Sequence, residues 1–117
     1  MMSFPWKVMH QLEDIDDIIR ISALRPQVIF KHSTRCSISS VAKRRLEHAV
    51  HPEEIDFHYL DIIALRNISN KVGQVFEVWH ESPQVLLITD GECIYDESHM
   101  GINMDDLFQQ ALPKIKG

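Results

Sequence analysis

Val28-Ile29-Phe30-Lys31-His32-Ser33-Thr34-Arg35-Cys36-Ser37-Ile38-Ser39-Ser40 carries most of the information in this chain. Its first three residues are an apolar run too short for a helix and suited to a strand buried on both faces. Ile38, Val41, Ala42, Leu46, Ala49 and Val50 then recur at helical spacing, up to a stop at His51-Pro52. Cys36 therefore falls where a buried strand hands over to a helix. There the unpaired N–H groups of the first helical turn face the cysteine, and the helix dipole favours a thiolate over a thiol. From Lys31 to Arg45 the chain carries Lys31, Arg35, Lys43, Arg44 and Arg45 and no acid, a second influence in the same direction. The alternative, a half-buried cysteine that only packs, leaves the agreement between dipole, charge and placement without a cause.

Upstream, Leu12, Ile15, Ile18 and Ile19 fall at helical spacing behind Glu13, Asp14, Asp16 and Asp17, and Pro26 ends that helix near Leu24. Downstream, Ile55, Phe57 and Tyr59 alternate with polar residues, and Leu60 and Ile62 extend the strand. Ile68, Val72, Val75, Phe76 and Trp79 make a third helical stripe. After Pro83 comes a second buried strand, Gln84 to Thr89; Asp90-Gly91 is a hairpin signal and Glu92 to Tyr95 the returning strand. Asn103 is a good N-cap, with Asp105 and Asp106 in the first turn, for a last helix through Leu107, Phe108, Ala111 and Leu112. The order predicts an α/β fold with a mixed sheet of about four strands, helices on both faces, and a single domain over residues 1–117.

Composition narrows the function. With 44% apolar and 25% charged residues, the 117-residue chain is neither disordered nor of low complexity. No apolar run approaches the ~18 residues of a membrane span, and the start Met-Met-Ser-Phe-Pro-Trp-Lys has no secretory pattern. A net charge of −5 argues against nucleic acid or an anionic membrane as partner. Cys36 and Cys93 cannot make a disulfide framework, so the expected setting is a reducing cytoplasm, where a well-placed cysteine is more often chemical than structural. Cys93, without basic neighbours, reads as a small buried hydrophobe; a resolving role needs it to lie near Cys36 in space. The histidines, His48 and His51 included, show no tight ligand spacing, so no metal site is expected. The Lys43-Arg44-Arg45 run is a solvated helix face or an attraction for anionic thiols and acidic protein surfaces.

Pro83 changes the weight of Cys36. In Glu81-Ser82-Pro83-Gln84-Val85 it opens a buried strand, a place where its missing N–H is tolerated. A cysteine at a strand-to-helix junction, then βαβ, then a proline before a hairpin and a final helix, resembles the thioredoxin fold. More narrowly, Phe30-Lys31-His32-Ser33-Thr34-Arg35-Cys36-Ser37-Ile38-Ser39 and His80-Glu81-Ser82-Pro83-Gln84-Val85-Leu86-Leu87-Ile88 resemble the YtxJ-like monothiol bacilliredoxins, over nearly the whole chain from Trp6 onward.

The resemblance implies a cytoplasmic thiol-disulfide oxidoreductase that removes bacillithiol, or a related low-molecular-weight thiol, from mixed disulfides on S-thiolated proteins. It implies Cys36 as the attacking thiol and Pro83 as a cis-proline beside it. Arg35, Ser37, Ile38 and Ser39 would stabilise the thiolate, and Thr34, Ser82, Pro83, Ser98 and His99 would bind the small thiol and the substrate. The small thiol would be a co-substrate, with no tightly bound cofactor, and a separate disulfide reductase would be a further partner. Ser39 stands where dithiol enzymes carry their second cysteine, so no internal resolution is expected; its backbone N–H and hydroxyl remain as donors to Cys36. Two alternatives stay open: a non-catalytic stress or adaptor protein, and an iron–sulfur-binding module. In the latter, glycine and phenylalanine would follow the cysteine in place of Ser37-Ile38.

Overall fold

A computed structural model describes residues 3–117. The elements are β1 (Trp6–Val8), α1 (Glu13–Ile21), β2 (Gln27–His32), α2 (Ser37–His48), β3 (Asp56–Asp61), α3 (Arg66–Phe76), β4 (Gln84–Thr89), β5 (Glu92–Ser98), a short 3-10 helix (His99–Gly101) and α4 (Met104–Lys116). The strands form one sheet in the order β1-β3-β2-β4-β5. β1 and β2 pair with β3 in parallel, and β4 is antiparallel to both β2 and β5.

Five strands stand where about four were expected. The extra one is β1, three residues with no alternation for a sequence to show. It exists because Trp6 finds partners: its ring stacks 5.6 Å from Phe30 and its indole N–H donates to Glu47 Oε2 at 2.7 Å. Two helix stripes also end earlier than their spacing suggested. α2 stops at His48, leaving Val50 95% exposed, and α3 stops at Phe76, where Glu77 turns left-handed (φ 56°) and sends Trp79 into solvent at 93% exposure.

Strand alternation divides the core into two layers. Val28, Phe30, Val85 and Leu87 face α2 and α4, meeting Ala42, Leu46, Leu107 and Ala111. Ile29, Leu86 and Ile88 face α1 and α3, meeting Ile15, Ile18, Ile68 and Val72. β2 and β4 are buried at every position, which is why Val28 to Phe30 and Val85 to Ile88 read as unbroken apolar runs. Asp90 and Gly91 take the left-handed pair of angles (φ 50° and 78°) that a two-residue hairpin requires. Asn103 caps α4 as expected, its Oδ1 accepting from the Asp106 N–H at 2.9 Å. Asn103→Ala should cost about 1 kcal/mol and lower the melting temperature by roughly 4 °C; an unchanged thermal transition would show that the cap contributes nothing.

Candidate functional site at the head of the second helix

β2 ends at His32, and the chain makes a tight turn before α2 begins. The Cys36 N–H donates to the Ser33 carbonyl at 3.2 Å, and the Cys36 carbonyl accepts from Ser40 N–H at 3.1 Å. Cys36 is the N-cap residue, half-buried and extended (φ −113°, ψ 122°), with no capping hydrogen bond from its side chain. The amides of Ser37, Ile38 and Ser39 have no acceptor among the described residues, as the geometry of a helix start dictates. The cysteine thus sits at the positive end of a twelve-residue helix, beside donors that nothing else uses. Thr34, Arg35, Ser37 and Ile38 are exposed around it.

The second loop arrives from the neighbouring strand. Lys31 near the end of β2 pairs with Gln84 at the start of β4, so the segments after His32 and before Gln84 emerge at the same end of the sheet. The Ser82–Pro83 peptide is cis, Pro83 is buried, and Ser82 Oγ is buried with no hydrogen-bond partner among the described residues. Ser98 and His99 reach this end because Ser98 pairs with Gln84 and the His99 N–H donates to the Pro83 carbonyl at 3.0 Å. His99 Nε2 lies 4.0 Å from Glu81 Oε1, and Arg45 of α2 donates to the Met100 carbonyl at 3.1 Å. Residues from three separate segments, the turn into α2, the loop before β4 and the end of β5, are therefore gathered at one end of the sheet.

Other expectations are corrected. The Ser39 hydroxyl is not offered to Cys36: it accepts from the Ser33 N–H at 3.0 Å and lies 2.7 Å from His32 Nδ1, leaving only the Ser39 amide free. The basic residues between Lys31 and Arg45 do not all act on Cys36 alike. Lys31 is buried on the α3 side, and Lys43 pairs with Glu47 at 2.7 Å, its cation 5.8 Å from the Tyr59 ring. Arg35 and Arg44 remain exposed. Sequence inspection took Lys31 only as nearby positive charge and gave His32 and His80 no role. Burial pushes Lys31 down to about 8, and burial followed by Lys43 lowers His32. The signal was present, since a strand buried at every position up to Lys31-His32 leaves their side chains no solvent to reach.

Cys93 lies at the other end of the sheet. It pairs with Ile88, which stands opposite Gln27, the first residue of β2. Five strand steps, about 17 Å, separate that level from the end of β2. Its thiol donates to the Tyr95 carbonyl at 3.3 Å, and burial pushes it up to about 11. A cleft of about 470 Å³ lies between the end of α3 and residues 77–80, lined by Ser69, Asn70, Gln74, Trp79 and His80 among others.

A five-stranded mixed sheet between paired helices, with a cysteine heading α2 and a cis-proline heading β4, is a thioredoxin fold. Solved structures agree on that point. A candidate oxidoreductase with a thioredoxin fold superposes with a TM-score of 0.79 at 24% identity, over 91% of this chain and 93% of its own. Thioredoxin from Trypanosoma brucei brucei gives 0.71 at 16% identity (97% and 95% covered), and the short form of thioredoxin f from spinach chloroplast 0.69 at 14% (98% and 99%). Residues 7–107 match the family of the monothiol bacilliredoxin BrxC. The chain belongs to that family, and with it to the thiol oxidoreductases. Among the described residues, no helix is long and apolar enough to cross a membrane.

Proposed function

We propose that this protein removes bacillithiol from cytoplasmic proteins that carry it as a mixed disulfide, with Cys36 as the attacking sulfur. The observation that carries this reading is the isolation of Cys36: a thiol at a helix head with free amides, and no second thiol at its end of the sheet. A mixed disulfide offers two sulfurs. Attack on the protein sulfur would leave a covalent complex that nothing in this chain could open. Attack on the bacillithiol sulfur instead breaks the S–S bond, releases the substrate as a thiolate that takes a proton from water, and leaves Cys36 disulfide-bonded to bacillithiol. A second bacillithiol thiolate then attacks the bacillithiol sulfur of that adduct. Bacillithiol disulfide departs and the Cys36 thiolate is restored, while a separate reductase returns the disulfide to thiol.

The chain's own residues supply the setting. The Ser37, Ile38 and Ser39 amides stand where the Cys36 sulfur carries charge before attack and again on release. Arg35 adds positive charge beside it, and the backbone at Ser82–Pro83 offers an extended edge along which the substrate strand lies. Thr34, Ser98 and His99 border the place of the small thiol. Mixing the protein with a bacillithiolated test protein, without added thiol, and measuring intact masses tests this. One bacillithiol adduct per chain, on Cys36, together with the freed test protein, is expected. A covalent protein–protein complex, or no transfer at all, would overturn the proposal.

A further inference from the structure

Lys31 and His32 are the last residues of β2, and strand alternation sends their side chains to opposite faces of the sheet. His32, 4% exposed, enters the α2 layer. There its ring lies 5.7 Å from Phe30 and 5.6 Å from Tyr59, and its Nδ1 meets Ser39 Oγ, which also holds the Ser33 N–H. Lys31, fully buried, enters the α3 layer, where its Nζ lies 3.3 Å from His80 Nδ1. Ser69 Oγ of α3 lies 3.5 Å from the same nitrogen. Gln84, beside Lys31 on β4, grips the same segment: its Nε2 donates to the Trp79 carbonyl at 2.9 Å and its Oε1 accepts from the Glu81 N–H at 3.4 Å.

Placing an amine and an imidazole in these positions is costly where the preceding residues are Val28, Ile29 and Phe30. Among the described residues Lys31 makes no ion pair that would offset its burial. What each buried group does make is a bond to one of the two loops of the site. We infer that Lys31 and His32 are positioning residues: His32, through Ser39, sets the Ser33–Cys36 turn, and Lys31, through His80, sets the segment leading into Pro83. One rigid pair of adjacent residues then fixes where the sulfur stands relative to the substrate-binding backbone. The inference rests on the proposed function for its kinetic consequence, but the two bonds order their loops whatever the substrate.

The polarity of the Lys31 bond follows from its groups. Lys31 has only protons to give, so His80 must present a bare Nδ1. Glu81, Arg66 and Lys31 are the charged groups facing His80, and Lys43, Glu47 and Asp61 those facing His32.

The test uses the full chain with Lys31→Met, His80→Ala and Ser39→Ala. His80 is exposed, so its variant folds even if a core change does not. Two readouts are taken: amide hydrogen exchange of each loop, and the rate with a bacillithiolated protein relative to the rate with a small aromatic disulfide. Lys31→Met and His80→Ala should speed exchange at Glu81 and Ser82 at least tenfold and leave the Ser33–Cys36 amides within twofold. They should also lower the protein rate at least tenfold more than the small-disulfide rate. Ser39→Ala should do the reverse for exchange and slow both disulfides alike. Lys31→Met should also raise the melting temperature, so that lost rate is not lost fold. Loop exchange and rate ratio unchanged in Lys31→Met and His80→Ala would overturn the inference. If the loops loosen as stated while the wild-type chain transfers no bacillithiol, the positioning stands and the proposed function fails.

Discussion

Cys36→Ser should abolish release of bacillithiol from a test protein, by at least ~10³-fold in rate, while Cys93→Ser should stay within about twofold of the parent. The asymmetry comes from charge state and from distance. Only a thiolate attacks a disulfide. Cys93 is pushed up to about 11 by burial, so at pH 7.5 its thiolate fraction is roughly 10⁻³ to 10⁻⁴. Nor can it serve after the first step. A disulfide needs Cα atoms within about 7 Å, and Cys93 stands level with the start of β2 while Cys36 follows its end. Rates from stopped-flow release of the test protein, with adduct mass on each variant, decide the matter. A Cys36–Cys93 bridge, or strong loss of rate in Cys93→Ser, would mean a two-thiol cycle and sink the one-cysteine mechanism.

Acid should weaken the fold through His58. Its ring is 8% exposed under β3, its Nε2 lies 2.7 Å from Gln27 Oε1, and burial pushes it down to about 4 against the opposing pull of Asp56. Between the ordinary histidine value of 6.5 and 4 the unfolded chain binds a proton that the folded chain refuses. Stability therefore rises with pH across that window and is lost as pH falls through it. The full loss is about 3 kcal/mol, with about 2 kcal/mol gone by pH 5. His32 and His80, both lowered chiefly by burial, add with the same sign. Urea unfolding at pH 7 and pH 5 measures the effect in the parent and in His58→Gln, which keeps a donor for Gln27 but cannot titrate. A variant as acid-sensitive as the parent would remove His58 from the account.

The parts of this molecule that were legible in its sequence are those where local chemistry and tertiary position agree. Val28-Ile29-Phe30 and Gln84 to Thr89 are buried on both faces, and their composition says so. Cys36 heads a helix because the apolar spacing of Ala42 and Leu46 places the helix directly after it, and Asn103 announces α4 by its own hydrogen bond. What escaped notice depends on partners far along the chain. β1 is three residues held by Phe30 and Glu47. Trp79 continues a helical spacing that Glu77 has already ended by turning left-handed. Ser39 looked like a spare donor for the cysteine until His32, buried one turn away, claimed its hydroxyl. Lys31 was counted as local positive charge because a fully buried lysine is rare; its bond to His80 makes it part of the frame.

The place of β2 at the middle of the sheet governs when the chemistry becomes available as well as where it sits. β2 is complete only when β3 has closed one edge and β4 the other, and β4 follows Pro83 in the chain. At elongation rates of about 5–20 residues per second, Cys36 precedes Pro83 out of the ribosome by roughly 2–10 s. Over that interval α2 lacks the completed sheet it packs against, and a helix of its length is marginal alone. Without a settled helix head there is neither a dipole nor a set of aligned amides beside the sulfur. A nascent chain therefore carries Cys36 as an unassisted thiol, and the reactive arrangement is born with the finished domain, after synthesis has brought both loops to the same end of the sheet.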